Sequence, residues 1–75
     1  MKTAQMLGAH LRSLRTEKGL TQKALAPKLA ADNTVVSRLE KGENWTVERI
    51  DLAAAAFGTD GPGFFLAAWR RAGFP

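Results

Sequence analysis

The 75-residue chain has no cysteine. That excludes disulfide staples, thiolate metal sites and a cysteine nucleophile. Histidine is nearly as scarce. His10 stands alone, with no cluster of ligands around it, and is expected to be an exposed helix residue rather than a metal ligand. The acidic residues are scattered, with no paired general acid and base, and neither Ser13 nor Ser37 has an evident activating base. No apolar run approaches the roughly 20 residues needed to span a bilayer. The opening "MKTAQMLGAHLRS" lacks the uninterrupted apolar block of a secretory signal. The expectation is a non-enzymatic chain without metal or cofactor, at home in the cytoplasm and away from membranes.

Positive charge is abundant and unevenly placed. The net charge is +4. Residues 1–42 hold eight Lys/Arg against three acids, and residues 43–75 hold three against four. A basic first half points to a polyanionic partner such as nucleic acid. A solvated basic surface would show the same balance.

Helical periodicity runs through the chain. Leu7, Leu11 and Leu14 follow at i, i+4, i+7, and Gly19 is a plausible C-terminal stop. Thr21 is suited to cap a second helix carrying Ala24, Leu25, Ala26 and Leu29. Asp32 is suited to cap a third, with Val36 and Leu39 on one face and Gly42 closing it. Thr46 opens a fourth, with Val47, Ile50, Ala53, Ala54 and Phe57 expected inward. Pro62 suits the first turn of a fifth, about 62–72. Five short helices with brief connections predict one all-α domain over residues 1–75. A chain of this size buries only about 60% of the surface its unfolded form exposes.

Pro27 lies inside the second helix, where it removes an amide and crowds the carbonyl of Lys23, at about 3 kcal/mol in an ordinary helix interior. A bend or local 3₁₀ turn near residues 23–27 is expected, not loss of the helix.

The third helix can be sorted by angle. With Val36 at zero and about 100° per residue, Leu39 falls near 300° and Glu40 near 40°. Ser37, Lys41, Thr34 and Arg38 occupy the arc from about 100° to 200°, and Val35 sits at its margin near 260°. The inner arc is apolar; the outer one carries short polar groups and two cations, suited to base edges and phosphates.

"LGAHLRSLRTEKGLTQKALA", "VVSRLEKG" and "TVERIDLAAAAFG" together resemble the phage-repressor/Cro-like (XRE) family of helix-turn-helix DNA-binding proteins. The resemblance covers roughly residues 7–66. It implies a compact five-helix, lambda-repressor-like DNA-binding domain, with the helix-turn-helix at about 21–41. It also implies that Asn33, Thr34, Ser37 and Arg38 read bases. Their chemistry allows it: Asn33 can pair with adenine, Arg38 with guanine, and Thr34 can meet the thymine methyl. Gln22 matches a residue that grips a backbone phosphate. Lys23, Lys41 and Asn44 are further phosphate candidates; Lys18 and Lys28 can equally be solubilising charge. Arg15 and Glu40 match a pair that joins helices one and three in relatives.

Two positions depart from the family. Ala30 stands where a turn glycine is usual, so the turn either carries a strained left-handed alanine or takes another path. Trp45 stands where the loop usually has proline.

The last helix is more apolar than a small core requires. Phe65 and Trp69 share a face at i, i+4, and Phe64 lies about 100° away. Relatives often dimerise through this region, which implies a homodimer on a palindromic operator, with Phe64, Phe65 and Trp69 at the interface. The alternative is a core of alanines that needs large aromatics to fill it. The functional expectation is a dimeric repressor or autoregulator. The competing one is an antitoxin-like or restriction-controller-like protein whose aromatic helix binds a protein partner.

Overall fold

The computed structural model describes residues 3–73. Helix α1 spans Thr3–Glu17, and α2 (Gln22–Leu25) runs straight into a 3₁₀ turn over Ala26–Leu29. Helices α3 (Asn33–Glu40), α4 (Val47–Ala56) and α5 (Gly61–Arg71) follow. The fold is the expected all-α, five-helix one.

The sequence sets the starts of α2 to α5. Thr21, Asp32, Thr46 and Asp60 adopt extended backbone, and each side chain accepts the amide three residues on, at 3.0, 2.9, 3.1 and 2.7 Å. Each bond satisfies one of the amide donors that a helix N-terminus leaves free, a contribution of about 1 kcal/mol.

The ends share one device. At Gly19, Gly42 and Gly58 the chain turns left-handed. At each, two amides fold back onto the carbonyls of the last turn, as in Leu20 to Arg15 and Gly19 to Thr16. This is a Schellman closure. The 3₁₀ segment ends the same way, with Ala31 N–H bonded to Ala26 and Ala30 N–H to Pro27. Here the left-handed residue is Ala30, at φ 51° and ψ 45°. The turn keeps the family path and bears the strain of a Cβ in that region, about 1 kcal/mol.

Pro27 occupies the first turn of the 3₁₀ segment. The last amide of α2 geometry, from Ala26, bonds Gln22, after which the chain tightens. Leu25 and Leu29 still reach the core on either side of the change.

One cluster forms that core: Met6, Leu7 and Leu11 of α1, Leu25, Ala26 and Leu29, Val36 and Leu39 of α3, Ala53 and Ala54 of α4, and Phe64 and Ala68 of α5. Gly8 lets α1 cross the end of α3 closely, because a Cβ there would collide with the carbonyl oxygens of Leu39 and Glu40. That crossing fixes where α3 sits on the scaffold.

Three expectations are corrected. His10 is not exposed but buried, edge-on to Phe64 with ring centroids 4.9 Å apart. Its Nδ1 accepts the Arg71 Nε–H at 2.9 Å, so a distant cation supplies the partner that burial requires. Phe64 is fully buried and belongs to the core, not to a dimer interface. Val47 points outward, 72% exposed, because it is the first residue of α4 and precedes the turn that meets the core.

Candidate nucleic-acid interface

Helix α3 presents two unlike faces. Val36 and Leu39 are fully buried, Val35 is half-buried against the core, and Asn33, Thr34, Arg38 and Lys41 are exposed. Ser37 is half-buried at the boundary. The outward arc is therefore the polar one that the helical angles predict. A helix with side chains is about 10–12 Å across, and the major groove of B-DNA is about 12 Å wide. Nothing bulkier than Arg38 stands on this arc to hold the backbone away from base edges.

The orientation of α3 is held by a polar network. Arg15 binds Glu40 through Nε–Oε2 at 2.6 Å and Nη2–Oε1 at 3.1 Å, while its Nη1 donates to the Leu20 carbonyl at 2.8 Å. The Glu40 side chain is only 5% exposed. The hydrogen bond to Glu40 raises the Arg15 pKa above its ordinary value. Arg15 and Glu40 thus tie α1, the α1–α2 turn and the end of α3 together, as the resemblance implied.

Gln22, the first residue of α2, joins this network through Nε2–H to Glu40 Oε1 at 3.0 Å. Lys23 is exposed one residue on. Past α3, Lys41 and Asn44 are both exposed, and Asn44 is left-handed at φ 64°. The structure thus gathers Gln22 with the last turn of α3, and places Asn44 in the loop that follows.

Two residues that sequence reasoning missed shape this loop. The Trp45 indole N–H donates to the Leu39 carbonyl at 2.9 Å, and its ring lies 6.1 Å from that of Phe64. A tryptophan in place of proline therefore caps α3 and fastens the loop to the core. Arg49 donates from Nη1 to the Asn44 carbonyl at 2.9 Å, bracing the left-handed residue from α4. No local spacing announces either contact; an arginine one turn into a helix after a loop is the only cue.

A family model described as a helix-turn-helix domain matches residues 6–64. The chain belongs to the helix-turn-helix family. Two crystal structures of the clp gene regulator ClgR from Corynebacterium glutamicum are similar to it. One is 28% identical with a TM-score of 0.82, covering 95% of this chain and 77% of ClgR. The other is 26% identical with a TM-score of 0.82, covering 100% and 99%. No curated protein matches. The helix-turn-helix domain is thus a DNA-binding regulator of the XRE type and not an enzyme. Among the described residues no group of His, Asp or Glu is arranged to hold a metal ion, and no helix is long and apolar enough to cross a membrane.

Proposed function

We propose that this helix-turn-helix domain is a sequence-specific regulator of transcription that binds duplex DNA as a homodimer, with α3 in the major groove. The observation that carries the reading is the outward arc of α3, where Asn33, Thr34 and Arg38 are exposed beside Ser37 on a helix whose other face is locked into the core. Asn33 and Arg38 read bases, Thr34 and Ser37 supply short contacts, and Gln22, Lys23, Lys41 and Asn44 grip phosphates on either side. The basic first half draws the polyanion in.

The two-fold part of the proposal rests on α5. Phe65, Leu66 and Trp69 are 37%, 47% and 38% exposed. A second copy meeting this face would present two α3 helices to half-sites about one DNA turn apart. Repression follows from occupancy of a palindromic operator. The protein-partner reading uses the same aromatic face, and the two are separable by experiment.

Selection of binding sites from a random duplex pool tests the whole. Enrichment of a two-fold symmetric motif is expected. Salt-sensitive binding without enrichment would reduce the protein to a non-specific DNA binder. Absence of binding at low salt would overturn the regulator reading.

A further inference from the structure

Gln22 and Glu40 lie 18 residues apart, at the two ends of the helix-turn-helix, yet share a hydrogen bond of 3.0 Å. The Glu40 carboxylate is not free to choose its position. Arg15 holds both of its oxygens, and the side chain is nearly buried. Its Oε1 then accepts from Gln22 as well as from Arg15.

This settles a choice that a glutamine otherwise leaves open. A carboxamide can turn either its oxygen or its nitrogen toward a neighbour. Oxygen facing a DNA phosphate would set acceptor against anion; nitrogen facing it donates a charge-assisted bond. A carboxylate beside the group admits only the nitrogen. One of the two Nε2 hydrogens is committed to Glu40, and the second remains to donate.

Resting on the DNA-binding reading above, we propose that Glu40 is a positioning residue for the phosphate grip. Anchored by Arg15, it holds the Gln22 carboxamide nitrogen in place before DNA arrives. The cost of ordering that side chain is met on folding and not on binding. Glu40 is also the last residue of α3. The same carboxylate therefore registers the backbone grip at the start of α2 against the base-reading helix. A displacement of α3 moves Gln22 off its phosphate, and weak base contact and weak backbone contact then occur together.

A double-mutant cycle on Gln22→Ala and Glu40→Asp tests the coupling, using the duplex that the wild-type chain enriches from a random pool. Glu40→Asp keeps the charge near DNA and withdraws the carboxylate by one methylene. Gln22→Ala is expected to weaken binding about tenfold in the wild-type background. In the Glu40→Asp background the same change should cost under about twofold. Equal losses in both backgrounds would overturn the positioning role while leaving Gln22 a phosphate contact. No loss in the wild-type background would overturn the proposal and leave the DNA-binding reading standing. Failure of the wild-type chain to bind any duplex would remove the reading itself.

A second measurement needs no variant. In the free wild-type protein, the Gln22 side-chain amide should show an NMR order parameter close to the rigid backbone value of about 0.85. A value below about 0.6 would show a mobile carboxamide and overturn the proposal.

Discussion

Helices α3 and α5 are built alike on the inside and unlike on the outside. Each buries a narrow apolar face, Val36 and Leu39 in one, Phe64 and Ala68 in the other. Outside, α3 shows Asn33, Thr34 and Arg38, whereas α5 shows Phe65, Leu66 and Trp69. The first surface carries hydrogen-bonding groups and a cation that water already satisfies, so it suits a polar, anionic partner. The second gains only by meeting apolar surface. The difference teaches that one small core can present a polar face and an apolar face on separate helices without either disturbing the other. Their supports also differ: α3 is fixed by an ion pair and a close backbone crossing at Gly8, α5 by an aromatic core and the Arg71–His10 bond.

The largest expected effect breaks the α3 support. Glu40→Ala leaves the mostly buried Arg15 guanidinium without its carboxylate, and breaking such a pair costs about 3–5 kcal/mol. Thermal unfolding should show a marked loss for a domain of this size. An unchanged transition would mean that the pair is wet and contributes little.

Next in size is a pair of substitutions that separates the two outer faces. Arg38→Ala should weaken binding to the selected duplex by about 1–3 kcal/mol and relax the motif at one position. It should leave self-association, read by sedimentation, unchanged. Phe65→Ser should do the converse, weakening self-association while each half-site is still recognised. If Arg38→Ala alters association, or Phe65→Ser alters only stability, the proposed division of labour between α3 and α5 fails.

How much of this was legible follows from the period of a helix. The arcs of α3 could be read because Val36 and Leu39 fix the inner face and every other residue then has an angle. The caps at Thr21, Asp32 and Thr46 and the tightening at Pro27 were equally local. His10 was misread although a signal existed, since it lies three residues after Leu7 and one before Leu11, within the buried stripe. Its partner Arg71 is 61 residues away, beyond any local pattern. Which of Phe64 and Phe65 turns inward depends on how α5 docks, and adjacent aromatics carry no mark of that. Trp45 was seen only as a missing proline, because a side chain that caps a carbonyl six residues back leaves no periodic trace.

Ala30 gives a smaller effect with the opposite sign. The helix ends at Gly19, Gly42, Gly58 and Gly73 turn left-handed at glycine, whereas the turn between α2 and α3 uses alanine, in the closure seen at the first three. Ala30→Gly relieves the Cβ conflict and should raise stability by about 1 kcal/mol, less the entropy that a glycine adds to the unfolded chain. The measurement is the denaturant midpoint at constant slope. A loss of stability would show that the unfolded-state entropy outweighs the strain, and that the turn before α3 is not under tension.

The smallest effect is expected from acid, and it tests the α5 support. Burial holds the His10 pKa below the ordinary 6.5, and the neighbouring Arg71 charge lowers it further, while Glu17 opposes them. The folded state therefore favours neutral His10, whose Nδ1 can accept from Arg71. The unfolded chain takes up its proton first as pH falls. Stability is thus fully present above about 6.5 and is lost as pH drops from there through the lowered folded value. At neutral pH nothing changes, because the group is already in the form the fold requires. His10→Gln should flatten this acid limb in unfolding curves taken against pH, since its amide can take no proton in that range. If the limb survives the substitution, the acid sensitivity belongs to the carboxylates, and the α1–α5 contact does not depend on the charge of His10.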